Sequence, residues 1–125
     1  MSSIRYTQDH EWLRLDGGTA TCGITDYAQE QLGDVVFVEL PQVGASYAAG
    51  DEAAVVESVK AAAEVYAPIA GKIAAVNDAI VNDPSLVNGD PMGEGWFFQI
   101  TPDDAAEIES LMDENAYKTF TEGLG

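Results

Sequence analysis

Lys60 is the residue around which a chemistry can be argued. It is one of five basic residues in a chain with 22 acidic ones. It sits in AAVVESVKAAAEVYAP, residues 53–68, whose two arms read almost as a mirror. Counted outward from the Lys60–Ala61 bond, Glu57 faces Glu64, Val56 faces Val65, Val55 faces Tyr66 and Ala54 faces Ala67. Two β-prone arms around a short centre predict an antiparallel hairpin, although no Asn-Gly or Asp-Gly marks its turn. The turn falls on residues 58–61 with Lys60 at the tip, and Pro68 fits the end of the outgoing strand, where a missing N–H costs least. Small neighbours (Ser58, Ala61, Ala62, Ala63) leave the lysine stem unhindered. In this mirror Glu57 and Glu64 oppose each other, and like charges opposed across a hairpin destabilise it. Their presence would then answer to something other than stability.

Little else in the chain can react. His10 is the sole histidine and Cys22 the sole cysteine, and they are not close in sequence. Cys22 shares a strand face with Ala20 and Ile24, which predicts a buried small hydrophobe rather than a reactive thiol. A single cysteine also excludes an internal disulfide framework. The pair Asp103–Asp104 stands where a helix would start, so capping explains it. Asn82-Asp83 and Asn88-Gly89-Asp90 lack the EF-hand spacing, and neither a P-loop nor a Gly-x-Gly-x-x-Gly fingerprint is present. No metal site and no catalysis by the chain alone are expected. A carrier or a binding module is left.

The elements that must position Lys60 are short. Residues 11–15 alternate weakly, with Leu13 and Leu15 on one face and Trp12 and Arg14 on the other; Asp16-Gly17-Gly18 turns the chain into a second strand, 19–24. Thr25 can cap a helix over 26–32 that Gly33 would end. Residues 34–40, DVVFVEL, are apolar on both faces and predict a central, well-covered strand stopped by Pro41. After the Lys60 hairpin, a turn over 69–72 leads to a strand at 73–76. Residues 77–95 read as loop, with one helical turn at 84–87, and 96–100 as an aromatic strand. In the tail, Asp103 or Asp104 caps a helix with Ile108, Leu111 and Met112 on one stripe, and a second helix near 114–121 buries Tyr117 and Phe120. Many short strands with peripheral helices give a mainly β fold, a β-sandwich or flattened barrel.

At 125 residues the chain is read as one domain, 1–125, with a core over about 4–100 and C-terminal helices over about 103–121. The net charge of −17 argues against nucleic acid and against an anionic membrane as partners, and for partners with basic docking surfaces. The apolar fraction of 46% argues against disorder despite that charge. No apolar run is long enough to span a bilayer, and MSSIRYTQDHEW has neither a signal peptide's apolar stretch nor a transit peptide's arginines. A bacterial-type cytoplasm is the expected setting.

Lys60, followed by Ala67-Pro68 and Gly71 and preceded by Gly50-Asp51 and Glu57, resembles the biotinyl/lipoyl carrier pattern. That resemblance implies a lipoyl/biotinyl-type sandwich with the lysine at a hairpin tip, acylated by lipoate or biotin. Biotin carriers usually flank the lysine with methionine; Val59 and Ala61 here are closer to the lipoyl side. Three further segments are similar to the glycine cleavage H-protein family: His10-Glu11-Trp12-Leu13, Gly23-Ile24-Thr25-Asp26-Tyr27-Ala28-Gln29, and the run from Gly33 to Pro41. So are Glu57-Ser58-Val59-Lys60-Ala61, Leu86-Val87-Asn88, Asp90-Pro91 and Gly95-Trp96. The similarity extends over nearly the whole chain. It departs at Met92, where the family usually has tyrosine, and at Glu64, where aspartate is common.

The resemblance implies a shuttle rather than an enzyme. Lipoic acid would be attached to Lys60, with Glu57, Ser58, Val59 and Ala61 forming the attachment motif. The partners it implies are a pyridoxal-phosphate glycine decarboxylase, an aminomethyltransferase, a dihydrolipoyl dehydrogenase, and a lipoyl or octanoyl transferase or ligase. An aminomethyl group would pass from the first to the second. In the family the loaded arm folds into a cleft on the carrier, and by position Glu11, Glu64 and His10 would line it here, with Asp9 beside them. The alternatives are a lipoyl or octanoyl relay protein, a biotin carrier, and an unmodified acidic interaction module.

Overall fold

The computed structural model describes residues 3–123. In chain order its strands are β1 (Ser3–Tyr6), β2 (Glu11–Asp16), β3 (Thr19–Ile24), β4 (Val35–Glu39), β5 (Ser46–Tyr47), β6 (Glu52–Ser58), β7 (Ala62–Tyr66), β8 (Gly71–Val76) and β9 (Phe98–Pro102). The α-helices are α1 (Asp26–Leu32), α2 (Asp78–Asn82), α3 (Ser85–Gly89) and α4 (Glu114–Gly123), with a 3-10 helix at Ala105–Ser110. Two antiparallel sheets form, one ordered β1-β2-β3-β9-β8-β5 and the other β4-β6-β7. The sandwich expected from the strand pattern is present, and among the described residues no barrel closes.

Local chemistry explains most of these boundaries. Gly17 and Gly18 join β2 to β3 with φ of 62° and 90°, the positive values a two-residue hairpin loop demands. Thr25 caps α1 by accepting from the Ala28 N–H at 3.2 Å, and Gly33 ends it at φ 77°. Asn77 caps α2, and its side-chain amide donates to the Glu94 and Trp96 carbonyls at 2.7 and 2.8 Å.

The main core lies between the sheets, with Leu13, Ile24, Val38, Val56, Ile73, Phe97 and Phe98 buried in it. A second, aromatic core forms on the other face of β1 and β2. Tyr6, Trp12 and Tyr117 are its buried members, with Met92, Trp96, Met112 and Phe120 packed against them. Met92, the departure from the tyrosine pattern, thus fills space in this small core, a task suited to its flexible thioether.

Several expectations fail, each for a physical reason. Residues 34–40 do not form a well-covered central strand. β4 is an edge strand, and Val36 and Phe37 are exposed. Its apolar pattern reads as two buried faces, but a register shift between Val35 and Phe37 turns part of it outward. The hairpin register differs by two residues from the mirror: Glu57 pairs with Ala62, Val56 with Ala63 and Val55 with Glu64. Glu57 and Glu64 therefore do not oppose each other, and no like-charge penalty arises there. A two-residue slip keeps every side chain on its face, so the burial pattern alone does not distinguish the two registers. Residues 77–95 hold two short helices rather than one turn, and residues 3–6 form a strand that was not foreseen. The first tail helix is 3-10 in character and stops at Ser110; Met112 pairs instead with Tyr6 as an isolated bridge.

Trp12 is fully buried and donates from Nε1 to the Pro91 carbonyl at 3.0 Å. Gly23 lies directly across the strand pair, and a Cβ there would stand 2.9 Å from that nitrogen. Gly23→Ala is therefore expected to lower stability by roughly 1–3 kcal/mol through overpacking. A thermal melt equal to that of the parent chain would show that the indole can shift aside.

Candidate functional site

The Lys60 tip is closed by its own serine. Ser58 N donates to the Ala61 carbonyl at 2.7 Å, and Ser58 Oγ accepts from the Lys60 and Ala61 N–H groups at 3.1 and 3.0 Å. The turn thus falls on residues 58–61 as the sequence predicts, and Lys60 is exposed. Val59, also exposed, donates its N–H to the Asp34 carbonyl at 3.0 Å, which fastens the tip to the turn between α1 and β4.

Gly33 opens that turn. A Cβ on it would lie 2.9 Å from Lys60 Cε, so the lysine stem lies across a surface that glycine keeps flat. Asn88 braces the same turn from α3. It donates to the Gly33 carbonyl and to Gln29 Oε1, both at 2.9 Å, and accepts from Val35 N at 2.8 Å. The Leu86-Val87-Asn88 segment marks this residue in the sequence, but not its partners.

A cleft of about 350 Å3 opens between α1 and the β6–β7 hairpin. Ile24, Ala28, Leu32, Val56, Ala63 and Val65 give it an apolar floor, and Asp9, His10, Glu11 and Glu64 gather with Tyr27 around it. Glu11, Glu64 and His10 thus line one cleft. Glu57, Ser58, Val59, Lys60 and Ala61 are not among its lining; they form the tip beside it.

The two glutamates differ sharply. Glu64 is exposed, with the Tyr66 hydroxyl 3.4 Å from its carboxylate. Glu11 is 2% exposed. Its carboxylate accepts from Tyr66 N at 2.7 Å and from the Thr7 hydroxyl at 3.0 Å. Burial outweighs these bonds and pushes the Glu11 carboxyl up to about 7. Burial also keeps the His10 imidazole below its ordinary range, against the opposing charge of Asp9. The Cys22 thiol, buried under the same sheet, is pushed up, which leaves it inert at neutral pH.

A family profile described as Glycine cleavage H-protein matches residues 4–123. The chain belongs to the glycine cleavage H-protein family. The glycine cleavage system H protein of Parvibaculum lavamentivorans is 61% identical over 124 residues, 99% of either chain. That of Beijerinckia indica is 58% identical over 99% of this chain and all of its own. A crystal structure of the glycine cleavage system H protein from Mycobacterium marinum superposes with a TM-score of 0.88 at 37% identity, covering 96% of this chain and 97% of that one. The family's proteins are lipoyl carriers of glycine cleavage rather than its enzymes, as the sequence led us to expect. Among the described residues no helix is long and apolar enough to cross a membrane, and no group of His, Cys, Asp or Glu could hold a metal ion.

Beside the residues the H-protein resemblance singled out, the site uses Thr7, Tyr66 and Tyr117. Thr7 is the nearest to a sequence signal, since its hydroxyl also accepts from Glu11 N at 3.2 Å and so closes the turn before β2. Tyr66 and Tyr117 reach the site from 55 and 107 residues away, and no local pattern announces them.

Glu11 also sets a pH dependence. Its folded pKa of about 7 stands above the ordinary 4.5. The folded chain therefore keeps a proton that the unfolded chain releases, and the contribution of this group to stability falls as pH rises from about 4.5 through 7. Glu11→Gln removes that slope while keeping an acceptor for Tyr66 N. The stability of the variant relative to the parent should rise between pH 5 and 8, by up to roughly 3 kcal/mol. Denaturant melts across that range decide it, and a difference independent of pH would mean that Glu11 titrates as an ordinary carboxylate.

Proposed function

We propose that Lys60 carries lipoate in amide linkage, and that this chain shuttles the aminomethyl group of glycine from a decarboxylase to an aminomethyltransferase. The observation that carries the reading is an exposed lysine on a braced tip, next to a cleft with an apolar floor and acidic rim, in a chain whose residues 4–123 match the family. When bound, lipoate supplies a dithiolane for thiol–disulfide exchange and group carriage, which the buried Cys22 thiol cannot.

The chain's residues fit such an arm. Ser58 fixes the tip while the Lys60 amine stays free for acylation, and acylation removes its charge. Ile24, Leu32, Val56 and Val65 offer aliphatic surface to a chain of methylenes. Glu11 and Glu64 offer acceptors to a cationic amine; a charge-assisted hydrogen bond contributes roughly 1.5–3 kcal/mol at the shielded Glu11 and less at the exposed Glu64. The decarboxylase, the aminomethyltransferase, a dihydrolipoyl dehydrogenase and a lipoyl or octanoyl transferase or ligase are the proposed partners. A net charge of −17 suits basic docking surfaces on them. A cytoplasmic setting belongs to the same proposal.

Intact mass of the chain from cells able to make lipoate should show one lipoyl increment, absent from Lys60→Arg. Arginine keeps the charge but takes no such amide, so this variant should melt like the parent and support no glycine decarboxylation with the partner enzymes. A biotinyl increment, or activity of Lys60→Arg, would overturn the assignment.

The cleft has its own test. Glu11→Gln and Glu64→Gln should each speed spontaneous loss of the cargo from purified loaded carrier, read as formaldehyde and ammonia release without folate. The effect of Glu11 should be the larger, because water screens Glu64. Parental release rates in both would mean that these carboxylates do not hold the amine.

A further inference from the structure

The C-terminal helix reaches the cleft through one hydroxyl. Tyr117 Oη, on α4, lies 2.8 Å from His10 Nδ1 and 2.7 Å from Thr25 Oγ1. These two residues stand side by side at one end of the cleft, where β2 pairs with β3. His10 immediately precedes β2, and Thr25 caps α1, the helix that supplies Tyr27 and Ala28. Thr25 N also donates to the His10 carbonyl at 2.9 Å.

His10 needs this support. It has φ of 67°, the one non-glycine positive value among the described residues, and such strain persists where the surroundings over-determine it. The imidazole packs on Tyr27 at 4.5 Å and on Phe120 at 5.8 Å between ring centroids, with Asp9 its acidic neighbour. Those contacts fix the plane of the ring, but only the hydroxyl distinguishes its two nitrogens. If Tyr117 donates, the proton sits on Nε2; if His10 donates, it sits on Nδ1. A phenol is a stronger donor than an aliphatic hydroxyl and an imidazole nitrogen is the better acceptor, so Tyr117 accepts from Thr25, donates to Nδ1 and assigns the proton to Nε2. The Tyr117 ring does not depend on its hydroxyl for position, since it stacks on Tyr6 at 4.5 Å and 10°.

We propose that Tyr117 is a positioning residue for the arm cleft: its hydroxyl locks His10 in one tautomer and ties His10 to the first turn of α1, so that α4 sets the cleft in which an arm on Lys60 is held. The proposal rests on the reading of that cleft given above. It gives the C-terminal helix a task beyond covering the aromatic core.

Tyr117→Phe in the full chain tests it, because the ring packing survives and only the hydroxyl is lost. In the unmodified protein, the nitrogen-15 shifts of the imidazole should report one tautomer in the parent and a mixture in the variant. In the lipoylated, loaded protein, spontaneous loss of the cargo should quicken by about threefold to tenfold, the worth of one hydrogen bond, with lipoylation of Lys60 unchanged. Thr25→Ser, which keeps both the cap and the hydroxyl, should behave as the parent in both measurements. An unchanged tautomer in Tyr117→Phe overturns the lock. A mixed tautomer with a parental release rate, where Glu11→Gln does quicken release, overturns the role in the cleft. Parental release in Glu11→Gln and Glu64→Gln as well would strike the cleft reading itself, and the tautomer measurement would still decide the lock.

Discussion

A buried carboxylate joins the two sheets. Glu11 begins β2 of the large sheet, and its oxygen accepts from the Tyr66 N–H of β7, an edge strand of the small one. An edge N–H left without a partner would be costly, and so would a carboxylate taken out of water alone. Each meets the other's need, and the Thr7 hydroxyl takes the second oxygen. Among the described residues no buried side-chain nitrogen or oxygen lacks a partner, so this unusual burial leaves no polar group stranded. The bond also fixes where the outgoing arm of the hairpin lies, and hence where the Lys60 tip stands relative to the cleft.

The tip itself is held by backbone contacts. Ser58 closes it, Val59 is bound to Asp34, and Asn88 secures Gly33 and Val35 beneath. Every one of these bonds spares the lysine side chain. Small residues after Lys60 keep bulk away from the amine, and Gly33 serves twice, since its φ of 77° disfavours other residues and its missing Cβ makes room for the lysine stem. Under the proposed acylation, this arrangement would present the amine from a backbone held in place by hydrogen bonds.

The sequence was readable where punctuation is local. β3 and α1 fall on the residues expected for them because Gly17-Gly18, Thr25 and Gly33 state their ends. The hairpin turn was readable from the two β-prone arms that mirror each other around Lys60, without a local turn signal. Its register was not, because apolar alternation repeats every two residues and so permits a slip of two. β4 misled because the alternation that marks exposure is broken by its bulge. α2 and α3 are only five residues each, too short to show a helical stripe, and their caps look like the turns that Asn, Asp and Pro also make. At the site, Lys60 was legible from its place at the tip of the hairpin, while Glu11, Glu64 and His10 were named as cleft residues through family likeness. The residues that hold them were not, since Tyr66 and Tyr117 come from distant strands and helices and meet the site only after folding.

The two cleft glutamates show why burial, more than residue type, decides what a carboxylate can do. Glu64 is exposed, and water and salt reduce any ion pair it makes to about 0–1 kcal/mol. It can attract a cation toward the rim but cannot hold one firmly. Glu11 is shielded, so its field on a nearby cation is stronger. The same shielding pushes it up to about 7, so that near neutrality it is divided between its acid and its ion. A cation brought close would favour the ion, and its removal would let the proton return. A chain of net charge −17 has no shortage of carboxylates to attract a cation. Glu11 differs from the exposed ones in being shielded, in linking the two sheets through Tyr66 N and in lining the cleft as well.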